Sequence, residues 1–250
     1  MPHDLLTLCL IAMTFLLAGL VKGVIGLGLP TVSLALLSMV LNLPAAMALM
    51  LVPSFATNLW QALQGGHLAG LLRRLWPFLL PATLTVAIGA RGLQTLPLHL
   101  LGGLLGVLLV CYALLGLSGL RWSLHGRRET WLGPLLGALN GVLTGMTGSF
   151  VFPGVMYLQA TGLTREQLIQ AMGILFTLST LALGLALQER RLLDPELGLL
   201  SVAALLPAGA GMVVGRRLRQ RLSEPHFRRI FFLALLLVGA HIIVRALVTR

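Results

Sequence analysis

Apolar runs long enough to cross a lipid bilayer constrain this chain more than any other feature. The 250 residues are 57% hydrophobic and only 10% charged, and the mean hydropathy is +0.95. This composition leaves too little polar surface for a water-soluble domain. Ten helices of about 20 residues would use about 200 residues, and the polar gaps account for the rest. The sequence therefore predicts an all-α polytopic integral membrane protein and excludes a soluble enzyme.

Gly, Pro and Arg residues divide the chain, a single transmembrane domain over 1–250, into two halves of five apolar segments. The predicted segments are 5–22, 28–41, 44–63, 75–93 and 97–119, then 132–146, 149–161, 165–187, 197–215 and 230–248. In each half the second segment is too short to cross about 30 Å of hydrocarbon upright. Because unpaired backbone groups cannot face lipid, we expect this segment to be re-entrant or a broken helix packed against protein.

The two halves also match in sequence, which indicates a diverged duplication. Gly19 and Gly23 match Gly137 and Gly141 at an offset of 118, and Ala48 and Thr57 match Ala171 and Thr180 at an offset of 123. At an offset of 126, Leu80, Pro81, Ala82, Gly89 and Arg91 match Leu206, Pro207, Ala208, Gly215 and Arg217. The offset grows through the loops, as expected of a repeat. We assign repeat 1 to about 4–119, a cytoplasmic connecting loop to about 120–131, and repeat 2 to about 132–250.

Because each repeat has five segments, an odd number, two successive repeats have to enter the membrane in opposite orientations. If the N-terminus lies outside, 13 of the 18 Lys and Arg residues fall on the cytoplasmic side and 5 on the other side. This excess follows the positive-inside rule. We therefore expect two inverted repeats with both termini outside. A re-entrant second segment gives the same loop assignment, because it removes crossings in pairs.

Two glycine-rich breaks mark the points where the first segment of each half ends and the short one begins. A helix broken at membrane depth exposes backbone N–H groups at the N-terminus of the next half-helix, and their partial positive charge suits an anion. The alternative is an ordinary tight turn. We favour binding because both halves contain the break, and the predicted site residues here are Gly26, Gly28, Pro30, Gly145, Gly148 and Ser149.

Glycines also recur at every fourth residue before the second break, at positions 133, 137, 141 and 145. This spacing places them on one face of a helix, where the absence of side chains lets a neighbouring helix approach closely. Packing is therefore the expected role of any single glycine in this row.

Polar side chains within the apolar segments supply the remaining site candidates. Thr57 and Asn58 lie in the third segment, and Asn140 and Thr144 precede the second break. A buried hydroxyl is usually satisfied by the carbonyl one turn back, whereas an amide in hydrocarbon needs several partners. We therefore predict that Asn58 and Asn140 contact substrate, with the two threonines beside them.

The acidic residues are informative because all seven fall in loops or at segment ends. The absence of a deep carboxylate argues against a cation site and against a carboxylate proton relay, and it leaves anions and neutral solutes. Lys22, the only lysine, ends the first segment beside a glycine break. Its side chain either extends to the cytoplasmic interface or attracts an entering anion.

Catalytic and metal sites are not predicted. The six His residues lack metal-ligand spacing, and the acid of a Ser/His/Asp triad would have to come from a loop. The basic residues lie in short gaps between apolar runs without interleaved aromatics, so we expect no nucleic-acid partner. The expected partners are the lipid bilayer and a small anionic substrate, and no cofactor is expected.

Several of these features together resemble a known family. They are the paired glycine breaks followed by Pro, the segments 48–57 and 171–180, the stretch 64–68 (Gln-Gly-Gly-His-Leu), and the ends 89–91 and 215–217. With them the chain resembles the sulfite exporter TauE/SafE family over nearly its whole length. The resemblance implies a multi-pass permease of the bacterial inner membrane for small sulfur-containing anions such as sulfite or organosulfonates, with a site between the repeats.

Two other classes stay open at this point. A membrane-embedded enzyme would need convergent acid, base or metal groups that the segments lack. A membrane assembly subunit without transport would carry two helix breaks at membrane depth as an unexplained energetic cost.

The orientation is tested with single cysteines in a variant that lacks Cys9 and Cys111. In intact cells, the cysteine of His125→Cys should resist an impermeant thiol reagent and that of Pro195→Cys should react. The reason is that the charge count places the two positions on opposite sides of the membrane. The opposite labelling pattern would overturn the assignment.

Overall fold

The computed structural model describes residues 4–120, 123–124, 126–220 and 223–248. In this described part the regular structure is entirely helical, and seven helices are long and apolar enough to cross a membrane. The prediction of an all-α polytopic membrane protein is confirmed. The helices are α1 (Leu5–Ile25), α2 (Leu29–Val40), α3 (Leu43–Leu63), α4 (Leu68–Leu84), α5 (Val86–Ala90), α6 (Gly92–Thr95), α7 (Leu98–Ser118), α8 (Arg127–Thr147), α9 (Gly154–Ala160), α10 (Arg165–Glu189), α11 (Pro195–Ala203), α12 (Leu205–Arg219) and α13 (Glu224–Val248).

The predicted segments correspond to these helices in chain order, and two of the segments are divided. The fourth consists of α4, α5 and α6 within the span Leu68–Thr95, and the ninth consists of α11 and α12 within the span Pro195–Arg219. The short second segment is the 12-residue α2 in the first half. In the second half it is α9, which has only 7 residues because 149–153 form no helix.

Helix α8 begins at Arg127, whereas the apolar pattern placed the start of this segment at residue 132. Its first turn contains Glu129, an acidic residue of the kind that a helix N-terminus favours. The Glu129 carboxylate accepts two hydrogen bonds of 2.9 Å from the Arg74 guanidinium in α4. The connection between the halves is therefore shorter than the predicted loop 120–131.

His125 lies outside the described residues, as do four arginines of the charge count: Arg121, Arg221, Arg250 and the side chain of Arg127.

Glycines bring helices of one half into backbone contact with helices of the other half. A Cβ atom added at Gly19 in α1 would lie 2.1 Å from the carbonyl oxygen of Ala208 in α12. One added at Gly141 in α8 would lie 2.5 Å from the carbonyl oxygen of Ala82 in α4. These distances are too short for any side chain, so only glycine permits this helix spacing. The predicted packing role of the glycine row in α8 is confirmed.

The helix ends show how the two halves correspond. Both α1 and α8 contain 21 residues, and they end at the left-handed glycines Gly26 and Gly148. Aligning these two ends gives an offset of 122, at which Gly19 matches Gly141. Gly19 contacts Ala208 and Gly141 contacts Ala82, and these two alanines are themselves a matched pair. The predicted offset of 118, which paired Gly19 with Gly137, is wrong by one helical turn. Since α8 has a glycine at every fourth residue, a shift of one turn produces the same identities in the sequence.

The central pair of helices, α3 and α10, runs antiparallel. Near one end, Gln61 Nε2 of α3 donates a hydrogen bond of 2.7 Å to the carbonyl oxygen of Ile169, close to the start of α10. Toward the other end, Leu51 of α3 lies beside Gly184 of α10. Since α3 and α10 are corresponding segments of the two halves, opposite orientation of the repeats requires this arrangement. Insertion of the repeats into a membrane in opposite orientations stays a prediction.

Two glycines of α12 test the backbone contact between α1 and α12. A Cβ atom at Gly211 would lie 2.1 Å from the carbonyl oxygen of Leu16, whereas a Cβ atom at Gly209 meets nothing within 4 Å. We expect Gly211→Ala to reduce the free energy of unfolding by about 1–3 kcal/mol through overpacking. Gly209→Ala should be neutral or stabilising by up to about 1 kcal/mol, because alanine favours a helix. Unfolding in detergent measures both, and equal values would contradict the contact.

Candidate functional site

The first break is a turn built from two glycines in the left-handed conformation. Gly26, with φ 79°, ends α1, and Gly28, with φ 106°, precedes α2. Residues with a side chain rarely adopt these backbone conformations, so glycine is required at both positions. Pro30 lies in the first turn of α2, where its missing N–H is not needed. The break therefore brings the end of α1 and the start of α2 together, with Lys22 one turn before it.

Lys22 does not extend to an interface but is buried, with 4% of its surface exposed. Its Nζ donates hydrogen bonds to Thr57 Oγ1, at 3.2 Å, and to Asn58 Oδ1, both in α3. The Thr57 hydroxyl donates its own hydrogen to the carbonyl oxygen of Pro53 at 2.7 Å, so its oxygen is available as an acceptor. The interfacial interpretation of Lys22 is therefore wrong. We call Lys22, Thr57 and Asn58 the Lys22 cluster.

The Lys22 cluster has hydrogen-bond donors left over. In the described part of the chain no carboxylate pairs with Lys22, and both of its acceptors are neutral. Asn58 Nδ2 and the hydroxyl of Ser54, one turn earlier in α3, are buried and have no partner among the described residues. An ammonium group carries three donors, of which two are used here. The cluster therefore offers positive charge and unused N–H and O–H groups, a combination that suits an anion with oxygen acceptors.

The second break is held by the other predicted polar residues. Gly148, with φ 73°, ends α8, and Thr144 Oγ1 donates a hydrogen bond of 3.0 Å to the carbonyl oxygen of Ser149. Asn140 Oδ1 accepts a hydrogen bond of 2.9 Å from the backbone N–H of Gly154, the first residue of α9. Asn140 Nδ2 and the Ser149 hydroxyl are buried without a partner among the described residues. Asn140 therefore joins α8 to α9 through its Oδ1 atom, and the N–H groups of its Nδ2 atom stay unused.

Gly145 has a different environment from the rest of the second break. A Cβ atom there would lie 2.1 Å from the carbonyl oxygen of Val86 and 2.5 Å from the backbone nitrogen of Ala90, both in α5. Gly145 therefore lies in the packing face of α8, in contact with the broken fourth segment.

The structure places the two breaks at opposite ends of the α3–α10 pair. Gly26 lies against Ile169 near the start of α10, and Gly148 lies against Met47 near the start of α3. Since these helices are antiparallel and Ile169 bonds to Gln61, the two breaks are roughly 20 Å apart along α3 at 1.5 Å per residue. The predicted site residues thus form two groups. The first is Gly26, Gly28, Pro30, Thr57 and Asn58, and the second is Asn140, Thr144, Gly145, Gly148 and Ser149.

A multi-pass helical membrane protein with buried, unused donor groups in both of its halves has the construction of a permease. Comparison with protein families agrees with this class. The family model for the sulfite exporter TauE/SafE family matches residues 11–242, and the chain belongs to this family. The predicted family is confirmed, and its members are transporters rather than enzymes. No curated protein and no solved structure matches the chain.

The bond that Asn140 makes can be tested against another buried polar residue. Asn140→Ala should lower the free energy of unfolding by about 1–3 kcal/mol, because the buried N–H of Gly154 loses its acceptor. Ser33→Ala is the control. Ser33 is equally buried, but its hydroxyl bonds only to carbonyl oxygens of its own helix, those of Leu29 at 2.7 Å and Pro30 at 3.2 Å. Denaturation in detergent without added anion measures both variants, and equal losses would argue against the role given to Asn140.

Proposed function

We propose that this protein is a permease that carries a small anion, a sulfur-containing oxyanion such as sulfite or an organosulfonate, across the bacterial inner membrane. Membership of the TauE/SafE family supports transport in general. The observation that carries the choice of an anion is Lys22, which is buried and, among the described residues, is held by neutral groups only. No catalytic step is part of this proposal.

An oxyanion complements the Lys22 cluster in both charge and hydrogen bonding. A buried ammonium without a counter-charge costs several kcal/mol in an apolar environment, and a bound anion supplies that charge. The anion's oxygens only accept hydrogen bonds. Asn58 Nδ2 and Ser54 Oγ are buried donors without a partner among the described residues, and Lys22 Nζ uses two of its three N–H groups. A cation would instead find the oxygens of Thr57 and Asn58 already bonded to Lys22.

The packing of the halves supports a route for this anion. Glycine contacts hold α1 and α12 together as one unit, and α8, α4 and α5 together as a second unit. The antiparallel helices α3 and α10 lie between these two units. We propose that the repeats are inverted and that the anion passes along α3 and α10. In this proposal the Lys22 cluster binds it at the cytoplasmic end, and the group at Asn140 binds it toward the periplasmic end. Movement of one unit against the other would expose the two ends alternately.

The test is uptake of sulfite by liposomes that contain the purified protein. Lys22→Met should lower uptake at least about 30-fold, because loss of a buried charge partner costs about 2 kcal/mol or more. Without anion the same variant should be as stable as the parent or more so, since an apolar side chain of similar length replaces a buried ammonium. A stable Lys22→Met protein with parental uptake would overturn the proposal.

A matched pair of threonines supplies the control. Thr57→Val removes an acceptor of Lys22 and should weaken anion binding about 10-fold. Thr180 is the corresponding residue of α10, and within the described part of the chain its hydroxyl bonds only the carbonyl oxygen of Phe176, at 2.6 Å. Thr180→Val should therefore bind and transport the anion within about twofold of the parent. An equal effect of the two substitutions would show that contact with Lys22 is not the cause.

A further inference from the structure

A cavity of about 220 Å³ lies beside the first break, outside the Lys22 cluster. Ile25 and Leu27 of the break form one side, and Ile169 and Met172 of α10 form another. The carbonyl group of Ile169 bonds to Gln61, which lies one turn beyond Thr57 and Asn58 in α3. The cavity and the Lys22 cluster are therefore at the same end of the α3–α10 pair but have different lining residues.

The polar lining of the cavity comes from four helices and includes two arginines, one tyrosine and Gln159 of α9. Arg165 begins α10, Arg228 lies in the first turns of α13, and Tyr112 projects from α7. None of the described lining residues is acidic. Neither arginine was a site candidate from the sequence, because each also fits a cytoplasmic topology signal. Arg228 gives the cavity a positive charge that is distinct from that of Lys22, and Arg165 lines the same cavity.

Tyr112 is the most specific polar group of the cavity. Its side chain is completely buried, and its hydroxyl has no hydrogen-bond partner among the described residues. An edge contact with Phe232, at 5.3 Å between ring centroids, fixes the position of the phenol ring. The guanidinium of Arg228 lies 5.9 Å from the centre of the same Phe232 ring. Phe232 therefore holds the phenol and the guanidinium close together.

The size and walls of the cavity indicate the kind of ligand. Its volume of about 220 Å³ is more than an inorganic oxyanion of four or five atoms fills. Beside the polar groups the walls are aliphatic or aromatic, including Leu27, Ile169 and Phe232. A ligand that satisfies both parts has a charged oxyanion group and an apolar body.

We propose that this cavity is a second binding site, which takes an oxyanion attached to an apolar group. Arg228 pairs with the oxyanion, the Tyr112 hydroxyl donates a hydrogen bond to it, and the apolar walls cover the attached group. The site is separate from the Lys22 cluster, and ligand binding there does not depend on transport. A soluble aryl or alkyl oxyanion and the phosphate of an anionic lipid share this chemistry.

The probe is benzenesulfonate, titrated calorimetrically into the detergent-purified protein. We expect Arg228→Gln to weaken its binding at least 10-fold and Tyr112→Phe to weaken it about 5-fold, while the ring contact with Phe232 is kept. Arg229→Gln is the matched control, because its exposed neighbouring side chain does not line the cavity, and it should bind within about twofold of the parent. No binding by the parent, or equal binding by all three variants, would overturn the proposal.

Two further arms separate this site from the Lys22 cluster and identify the source of the ligand. Lys22→Met should keep benzenesulfonate binding, and loss of binding in that variant would overturn the assignment of a separate cavity. Parent protein that binds benzenesulfonate but takes up no sulfite would refute the proposed transport function and leave this site standing.

In nanodiscs, competition by phosphatidylglycerol that Arg228→Gln abolishes would identify a lipid phosphate as an occupant. Unchanged binding there would identify a soluble oxyanion.

Discussion

Backbone contact between glycine-lined helix faces is the interaction on which the rest of this structure depends. In a bilayer, apolar side chains gain little by leaving lipid for protein, so close approach and van der Waals contact have to hold the helices together. Gly19 and Gly23 of α1 and Gly141 and Gly145 of α8 allow this approach to carbonyl groups of the opposite half. The contacts lie between the halves, and they leave α3 and α10 as the central antiparallel pair.

The polar chemistry is concentrated around this central pair. Hydrogen bonds from Gln61 to Ile169 and from Gln170 to Ala62, of 2.7 and 2.8 Å, join its two helices at one end. The Lys22 cluster is attached at that same end through α3. Thr57 and Asn58 already hold the ammonium group of Lys22 in place. In the proposed function, the anion therefore binds with little rearrangement of the partners of Lys22.

The two halves share a scaffold but differ in chemistry. At the offset of 122, Lys22 corresponds to Thr144 and Asn140 corresponds to Ala18, while at 123 Asn58 corresponds to Leu181. The helix ends and glycine contacts are therefore duplicated, whereas the cation belongs to the first break alone and the amide that supports the backbone belongs to the second. The contacts need small residues at fixed positions in both halves, while a binding group needs to be present only where the ligand is held.

The sequence alone determined the helical membrane fold, the two halves, their glycine breaks and the family, because apolar length and glycine spacing are local properties of the chain. It could not choose between offsets of 118 and 122, since glycines at every fourth residue match equally well after a shift of one turn. Only the tertiary structure decided that Lys22 points inward to Asn58 and that Arg228 and Tyr112 meet at one cavity. It also placed the two breaks at opposite ends of the α3–α10 pair. These relations depend on the direction of each side chain and on the antiparallel crossing of α3 and α10, which no local pattern records.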